Sequence, residues 1–378
     1  MDFDSSVAEA PRPLEQPLPP RLFPVVISGG AGSRLWPLST NDRPKQFHPL
    51  GSEMTLIQDT VQRLTGAAGL DAKGPILASN GRHLALIQEQ MDQVGCTPSA
   101  IILEPFGRNT APVAMAAALA VEAIDPEALV LLMPSDHVIG RPEAFAAAVA
   151  EAAPLARERI VLFGVKPTAP ETGFGYIEAG EPLDGEVRSV ARFVEKPDIA
   201  TARGYLEGGR HLWNAGIFLF SPKVLIAEME RLAPDVASSV RRALRAARRD
   251  GSVIELDAAA FETCPSISID YAVMEHTDKA AVMPVDPSWA DIGSWSSLWQ
   301  QGSRNGEGNV LRGDVEVLDA NDCLIWSQDR TVAVVGVSDL IVVQTEEGVL
   351  VLPKSRAQDV KILVERLQAR ARERQERS

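Results

Sequence analysis

Cysteine is scarce in this chain, which has three cysteines in 378 residues. Cys96, Cys264 and Cys323 are far apart and form no CxxC pair, so neither a disulfide framework nor a cysteine-rich zinc site is expected. The five histidines are scattered without a metal-binding spacing such as HExxH, and no GxSxG nucleophile motif is present. The cysteine usage is typical of a protein in a reducing compartment.

Long hydrophobic runs are also missing. The longest apolar stretch, residues 111–121, is well short of the ~20 residues that a membrane-spanning helix needs. The acidic first residues lack the apolar core of a signal peptide. We therefore expect a cytoplasmic protein with no membrane partner.

Positive charge is in deficit. The chain has 37 lysines and arginines against 51 acidic residues, which gives a formal net charge of −14. This balance argues against a nucleic-acid partner, because nucleic-acid binding normally requires a basic surface. It is still compatible with a local cationic pocket for a small phosphate ligand.

The first half of the chain alternates between strand and helix patterns. Apolar runs predict strands at 23–27, 75–78, 101–103, 129–133 and 160–165, and helices are predicted at 55–64, 82–94, 112–124 and 142–153. Thr55 and Gln58 form a candidate capping box. The alternation predicts an α/β fold with a mostly parallel sheet and helices on both faces. Because ligands gather at the carboxyl ends of such strands, residues 29–34, 104–110 and 135–136 are expected to converge on one site.

The second half departs from this alternation. Strands are predicted at 174–178, 187–195 and 215–220, helices at 225–232 and 237–249, and five short strands between 315 and 352. The expected organisation is a disordered proline-rich head (1–21), a main domain (22–299), a β-rich unit (300–355), and a terminal helix with a charged tail (356–378).

A glycine-rich segment follows the first predicted strand. Gly29, Gly30 and Gly32 would let backbone N–H groups approach phosphate oxygens, and Arg34 and Lys45 would add positive charge. The segment is neither a Walker A motif nor a regular Rossmann GxGxxG motif. Its alternative interpretation is an ordinary glycine-rich turn, but the basic residues favour phosphate binding.

Two aspartates far apart in the chain are candidate metal ligands. Asp136 follows a buried strand, and Asp291 lies in the segment WADIGSW. Together they could hold Mg²⁺, which typically takes one or two carboxylates and leaves its other positions to phosphate and water. Separately, each would be a common turn or cap residue. His137 is interpreted as a structural neighbour.

Three further segments carry polar groups beside strands. Lys196, in the sequence Glu195-Lys196-Pro197, could contact a second phosphate, and its alternative is a solvated charge pair. The segments TGFGYIE and WNAGIF combine glycine with Glu178 and Asn214, which suits a sugar pocket but also an ordinary turn. The arginines of residues 241–249 would share one helical face, which is typical of a solvated surface.

The segments GGAGSRLWPLS, RPKQF, EPFGRNTAP, PSDH, ETGFGYIE, FVEKP, WNAGIF and WADIGSW resemble, in order, the motifs of bacterial mannose-1-phosphate guanylyltransferases. These enzymes belong to the sugar-nucleotidyltransferase family, and the resemblance covers about residues 22–355. The GGxGxRLxPL and EKP motifs indicate the reaction class, whereas PKQF, GRNTAP and WADIGSW indicate the GDP-mannose branch. The resemblance implies a Rossmann-like (GT-A type) mixed sheet flanked by helices, plus a small left-handed β-helix-like unit.

The resemblance also implies roles for particular residues. The implied sets are Arg34, Lys45 and Lys196 as catalytic phosphate contacts, Gly29, Gly30, Gly32, Ser33, Asn109 and Ser135 for the nucleotide, Gly175, Glu178, Glu195, Asn214 and Gly216 for the sugar, and Asp136 and Asp291 for Mg²⁺.

The implied reaction makes GDP-mannose and pyrophosphate from GTP and α-mannose 1-phosphate, with Mg²⁺ as cofactor and a homodimer as the assembly. Two alternatives stay open: another NTP:sugar-1-phosphate nucleotidyltransferase, and a non-catalytic nucleotide-sugar sensor of the same fold. Many relatives continue into an isomerase domain. This chain stops at Ser378 without its histidine-rich motif, so isomerase activity is not expected.

Overall fold

The computed structural model describes residues 19–30 and 32–375. Its strands are β1 (Arg21–Ser28), β2 (Asp71–Ala72), β3 (Ile76–Asn80), β4 (Ala100–Glu104), β5 (Leu129–Pro134), β6 (His137–Ile139), β7 (Ile160–Val165), β8 (Tyr176–Asp184), β9 (Val187–Val194), β10 (His211–Phe220), β11 (Arg248–Asp250), β12 (Val253–Glu255), β13 (Ala280–Pro284), β14 (Trp289–Asp291), β15 (Val310–Arg312), β16 (Val315–Leu318), β17 (Leu324–Ser327), β18 (Val332–Val335), β19 (Leu340–Thr345) and β20 (Gly348–Pro353). Its helices are α1 (Leu56–Gln62), α2 (Leu84–Gln93), α3 (Thr110–Ile124), α4 (Pro142–Ala152), α5 (Ile199–Gly208), α6 (Pro222–Leu232), α7 (Pro234–Arg245), α8 (Ala258–Glu262), α9 (Trp295–Gln301) and α10 (Val360–Gln375).

A twelve-stranded mixed sheet organises the larger unit, in the order β11-β12-β4-β3-β1-β5-β10-β7-β13-β9-β8, with β2 beside β1. β1 pairs in parallel with β3 and β5, and β3 pairs in parallel with β4. The carboxyl ends of these four strands therefore lie at one edge of the sheet, which confirms the predicted parallel core. β10 runs antiparallel between β5 and β7, and further antiparallel pairs at both ends of the sheet, β11–β12 and β8–β9, make the sheet mixed.

Helices cover both faces of the sheet. One face carries α3, α6, α7 and α8, and the other carries α1, α2 and α4. In α3 every side chain from Ala111 to Val121 is buried. Most of these residues are alanine, and their small side chains let the helix approach the strands closely. The Asn109 side chain caps this helix by accepting a hydrogen bond from the Thr110 N–H at 2.9 Å.

The predicted helix over residues 237–249 is wrong at its C-terminal end. Helix α7 ends at Arg245, and Arg248–Asp250 forms β11 instead. Strand β11 pairs with β12, which itself pairs in parallel with β4, so a sheet edge captures the segment. Gly251, with φ of 55°, makes the turn between the two strands. The arginines of this segment therefore do not share one helical face.

The C-terminal β-rich unit is a stack of short parallel strands. β15, β17 and β19 pair in parallel in one sheet, and β16 pairs in parallel with β18 in a second sheet. Inward-facing side chains from both sheets, such as Ile325 and Val334, pack between them. The predicted all-β unit is confirmed.

The β-rich unit packs on the larger unit through a shared apolar cluster. Leu35 and Leu56 of the larger unit join Leu324 and Ile341 of the β-rich unit around Trp295 on α9. The indole N–H of Trp295 donates to the carbonyl of the Trp36 backbone at 2.9 Å. The glycine-rich segment and the β-rich unit are thus held against each other.

The first strand and the last helix begin at residues that differ from those predicted. Strand β1 begins at Arg21, the last residue of the expected disordered head, and residues 1–18 of that head lie outside the described residues. The terminal helix α10 begins at Val360 rather than near residue 356, because a 3-10 segment, Lys354–Asp359, precedes it. Among the described residues, no helix combines the length and the apolar character that crossing a bilayer requires.

Candidate active site

The glycine-rich loop leaves β1 at the carboxyl edge of the sheet. Gly32 has φ of 58°, and a Cβ there would come within 2.8 Å of Ser39 Oγ and 3.0 Å of Lys45 Cβ. Glycine is therefore required for the backbone conformation and for the close approach of Lys45. Around Gly29 and Gly30 a Cβ would meet no described atom within 4 Å, so these two residues border open space.

Lys45 is the centre of a charged cluster below this loop. Its Nζ lies 2.9 Å from Asp136 Oδ2, 3.4 Å from Asp291 Oδ1 and 3.0 Å from the carbonyl oxygen of Ile292. The Lys45 side chain is only 11% exposed. The cluster therefore holds one ammonium group in contact with two carboxylates.

Strand pairing brings the two aspartates together. Strands β6 and β14 pair antiparallel, with Asp291 opposite His137. Asp136 immediately precedes β6, and the N–H of Ser135 donates to the carbonyl of Ile27 at the end of β1. His137 Nδ1 is 3.2 Å from the indole nitrogen of Trp289, so this histidine packs as a neighbour in the fold.

The cluster fixes the charge state of its members. Burial alone would lower the pKa of Lys45, but the Asp136 and Asp291 carboxylates outweigh burial and raise that pKa above its usual value. Burial would raise the pKa of Asp136, yet the charge and hydrogen bond of Lys45 hold it below the ordinary range. Burial lowers the pKa of His137, which favours the neutral imidazole. The lysine stays cationic and the aspartate anionic at neutral pH.

A second charged cluster gathers residues that the sequence analysis placed near a sugar. Lys196 Nζ lies 2.7 Å from Glu195 Oε1, and the Glu195 side chain is 7% exposed. A Cβ at Gly175 would come within 2.6 Å of Glu195 Oε2 and 3.3 Å of Asn214 Cβ, so only glycine fits there. A Cβ at Gly216 would lie 3.7 Å from His137 Cε1, so this cluster adjoins the Asp136 loop.

Other candidate residues stand apart from these clusters. Glu178 forms an ion pair with Arg210 at 3.5 Å rather than joining Glu195. Arg34 is exposed and has no ion pair among the described residues. Asn109 is exposed with φ of 68°. Ser33, in the 3-10 turn that follows Gly32, is partly exposed.

Asp270 was not predicted as a site residue, and Glu104 was predicted only as the first residue of the converging loop 104–110. Asp270 Oδ1 accepts a hydrogen bond from Asn214 Nδ2 at 2.8 Å, and burial and then the Glu195 charge raise its pKa to about 7. Burial raises the pKa of Glu104 to about 8, and its Oε1 is buried without a hydrogen-bond partner among the described residues. Glu104 had a visible signal, since it ends an apolar strand in EPFGRNTAP. Asp270 had none, because its side-chain partner Asn214 is 56 residues away in the sequence.

The donor set around Lys45 fits a hard divalent cation. Asp136 and Asp291 supply two carboxylates that already contact one positive charge, the Lys45 ammonium. Mg²⁺ commonly takes one or two carboxylates and fills its remaining positions with water and phosphate oxygens. Within the described residues, no group of three or more histidine, cysteine or acidic side chains suits a metal bound by protein ligands alone.

Comparison with known proteins gives two family matches and close relatives. A nucleotidyl transferase family model matches residues 23–306, and a MannoseP isomerase/GMP-like beta-helix domain model matches residues 313–367. The mannose-1-phosphate guanylyltransferase of Escherichia coli K12 is 43% identical over 359 residues, covering 93% of this chain and 74% of that protein. The xanthan biosynthesis protein XanB of Xanthomonas campestris pv. campestris is 45% identical over 352 residues, with the same two coverages.

A solved structure agrees with these relatives. The crystal structure described as a mannose-1-phosphate geranyltransferase from Thermus thermophilus superposes with a TM-score of 0.81 at 34% identity, covering 92% of this chain and 99% of that one. The chain therefore belongs to the nucleotidyl transferase family and, within it, to the mannose-1-phosphate guanylyltransferases. The resemblance predicted from the motifs is confirmed, as is the β-helix-like character of the C-terminal unit.

Proposed function

We propose that this chain transfers a guanylyl group from GTP to α-mannose 1-phosphate and releases pyrophosphate. The Lys45 cluster carries the proposal most directly, because it places a nearly buried ammonium and two carboxylates against Gly32 of the glycine-rich loop. The relatives named as guanylyltransferases support the choice of substrates.

The proposed step is an in-line displacement at the α-phosphorus of GTP. An oxygen of the sugar phosphate forms the new P–O bond while the bond to the β-phosphate breaks, and pyrophosphate leaves with the electron pair. The attacking oxygen is already anionic, so the step needs no general base. The protein must supply positioning and charge neutralisation.

The two lysine clusters provide separate phosphate contacts in this proposal. Arg34 and Lys45 would contact the triphosphate, with the nucleotide over Gly29, Gly30, Gly32, Ser33, Asn109 and Ser135. Lys196, which is 56% exposed, would hold the sugar phosphate beside the sugar-pocket residues Glu195, Asn214 and Gly216. Glu178 and Gly175 would complete the sugar pocket.

Asp136 and Asp291 would hold Mg²⁺, which, when bound, supplies neutralisation of charge on the phosphate oxygens. Before a metal binds, the two carboxylates raise the pKa of Lys45, so the metal would meet a protonated ammonium there. Asp136, Asp291 and Lys45 would therefore already be ionised around the triphosphate before the sugar phosphate binds.

A substrate panel tests the proposal. Pyrophosphate release is measured for the four NTPs, each with mannose, glucose and N-acetylglucosamine 1-phosphates, in the presence of Mg²⁺. We expect the highest kcat/KM for GTP with mannose 1-phosphate. A faster reaction with another pair would support a different sugar nucleotidyltransferase. Binding of GDP-mannose without pyrophosphate release from any pair would support a non-catalytic sensor.

We further propose that the protein is cytoplasmic and forms a homodimer through its β-rich unit. The proposed bounds are 22–299 for the main domain and 300–355 for the β-rich unit. Leu318, Val335, Val349 and Val351 of the β-rich unit are each 60–63% exposed, an unusual number of apolar side chains in one small unit. The assembly is tested by light scattering of the purified chain, where Val349→Lys together with Val351→Lys is expected to give monomers. A monomeric unmodified chain would contradict it.

A further inference from the structure

A short segment, residues 267–270, connects the two halves of the candidate active site. Its carbonyl at Ile267 accepts a hydrogen bond from the Ala111 N–H at 3.1 Å, and its Ile269 N–H donates to Thr110 Oγ1 at 3.0 Å. Both contacts are with the first turn of α3, directly after the loop 104–110. The segment is thus fixed at the nucleotide side.

The far end of this segment is bonded to the sugar side. Asp270 Oδ1 accepts from Asn214 Nδ2 at 2.8 Å, and Asn214 Oδ1 accepts from the N–H of Gly216 at 3.1 Å. These bonds fix both ends of the Asn214 amide at an irregularity in β10, where Gly216 has φ of 66°. Asp270 is therefore bonded to the irregular part of β10, which lies beside His137.

A π-helical turn, Asp270–Met274, follows directly and ends at Glu275. Glu275 Oε1 accepts from the N–H of Glu195 at 3.1 Å. The two ends of one turn thus hold two neighbouring sugar-side residues, Asn214 and Glu195. π-Helical turns are rare and occur frequently at functional sites.

We infer that Asp270 and Glu275 are positioning residues for the sugar-phosphate half of the site, acting through Asn214 and Glu195 respectively. Neither Asp270 nor Glu275 is proposed to contact the substrate itself. The inference rests on the proposed function, since it presumes that Glu195 and its neighbour Lys196 face a sugar phosphate.

The chemistry of the two bonds predicts a graded response. Hydrogen bonds to charged groups are stronger than those between neutral groups, and a displacement of about 1 Å at a reacting group can cost about 10²-fold in rate. The Asn214 bond is partly buried and the Glu195 bond is exposed, so Asp270 should have the larger effect. Asp270→Asn keeps an acceptor oxygen toward Asn214, and Glu275→Gln keeps one toward Glu195.

Steady-state kinetics of the full chain with Mg²⁺ test the inference. Asp270→Ala should raise the KM for mannose 1-phosphate at least about tenfold, with the KM for GTP within about twofold, and Asp270→Asn should recover most of the loss. Glu275→Ala should raise the same KM less, and Glu275→Gln should restore it. Asp278→Ala, at an exposed aspartate just after the turn, is the control and should change neither constant.

Direct binding separates positioning from general damage. Mannose 1-phosphate alone is titrated into each variant by calorimetry, and melting temperatures are measured in parallel. Equal rises in both KM values, or an Asp270→Asn variant as impaired as Asp270→Ala, would overturn the inference. If the unmodified chain prefers another sugar phosphate, the series is repeated with that substrate, so a failure of the proposed substrate and a failure of the positioning role give different results.

A pH profile adds a readout that a purely structural role would not change. The acidic neighbour of Asp270 is Glu195, the basic one is Lys196, Tyr271 lies in the same turn, and Asn214 is neutral. Above pH 7 the ionised Asp270 would add a second negative charge beside Glu195, so mannose 1-phosphate binding should weaken. This loss should be smaller in Asp270→Asn, and an identical profile in the two proteins would contradict the inference.

Discussion

The Lys45 and Lys196 clusters contain the same groups but arrange them differently. Each has one ammonium and two carboxyls. Lys45 is 11% exposed and contacts both Asp136 and Asp291. Lys196 is 56% exposed and has an ion pair with Glu195, its neighbour in sequence.

This placement of the cation decides how the carboxyls ionise. In the first cluster the buried ammonium holds the pKa of Asp136 below its usual range. The second cluster also includes Asp270, which is hydrogen-bonded to Asn214; there burial and then the charge of Glu195 outweigh Lys196 and raise the pKa of Asp270 to about 7. A buried carboxylate stays charged only where a cation or a set of donors reaches it.

Because of this difference, the two clusters suit different ligands. The first is a closed ionic network that suits a divalent cation between its carboxylates. The second leaves an ammonium group at the surface of the protein, where an incoming phosphate can reach it. The predictions below test this division.

The largest effect is expected at Asp291. Asp291→Ala should lower turnover by at least about 10³-fold, because a metal site supplies several kcal/mol to such a transition state. Pyrophosphate release and a melting curve are measured together, with Asp286→Ala, an exposed aspartate nearby, as the control. EDTA should abolish activity of the unmodified chain. Full activity in EDTA, or in Asp291→Ala, would contradict the metal site.

Arg34 and Lys196 should differ in which constant they change. Arg34→Ala should lower kcat by about 10²–10³-fold, because charge builds on the leaving pyrophosphate in the transition state. Lys196→Ala should mainly raise the KM for mannose 1-phosphate, by roughly 10–100-fold. Steady-state kinetics with each substrate varied separately measure both effects.

A conservative substitution of Arg34 tests the comparison between Arg34 and Lys196 more closely. Arg34→Lys should not recover fully, since an ammonium cannot reproduce the planar bidentate contact of a guanidinium. If Lys196→Ala raised the KM for GTP alone, the two phosphate sites would be assigned the wrong way round. If neither substitution mattered beyond about twofold, both side chains would be solvated surface charges.

Glu104 should affect stability rather than a specific substrate constant in the ligand-free protein. Burial raises its pKa from 4.5 to about 8. The folded chain therefore binds a proton that the unfolded chain has released between about pH 4.5 and 8, so stability falls as pH rises through that window. Glu104→Gln should remove this fall and raise the melting temperature at pH 8, by roughly 2–4 °C per kcal/mol recovered.

Thermal melts at pH 5, 6.5 and 8 measure this effect. Glu122→Gln, at an exposed position on α3, is the matched control and should leave the slope unchanged. A Glu104→Gln protein with an unchanged slope, or one less stable at pH 8, would show that the carboxylate is ionised and paired.

The smallest effect is expected from the head. Removal of residues 1–18 should change neither activity nor melting temperature appreciably, because this segment carries none of the site motifs and few apolar residues. Activity assays and melting curves of the truncated chain check this. A large drop in either would show that the head contributes to the folded protein or to a complex.

Short-range patterns in the sequence determined the local structure. Thr55 and Gln58 predicted a capping box, and the structure has it, with the Thr55 N–H donating to Gln58 Oε1 at 3.0 Å. The apolar runs likewise predicted the strands of the parallel core, whose carboxyl ends meet at one edge. The motifs around Gly32 and Asp291 identified the family. In each case the information lies within a few neighbouring residues.

Long-range contacts decided the rest. Helix α7 ends at Arg245 because β12 captures Arg248–Asp250 as an edge strand. Asp250 and Gly251 signal a local turn, but the pairing of β12 with β4 that holds this edge in the sheet depends on distant residues. Asp270 joins the site through Asn214, and its pKa depends on burial and on the charge of Glu195. Such hydrogen bonds and such burial exist only once distant segments have packed. The sequence alone therefore could not predict the ionisation of Asp270 or its bond to Asn214.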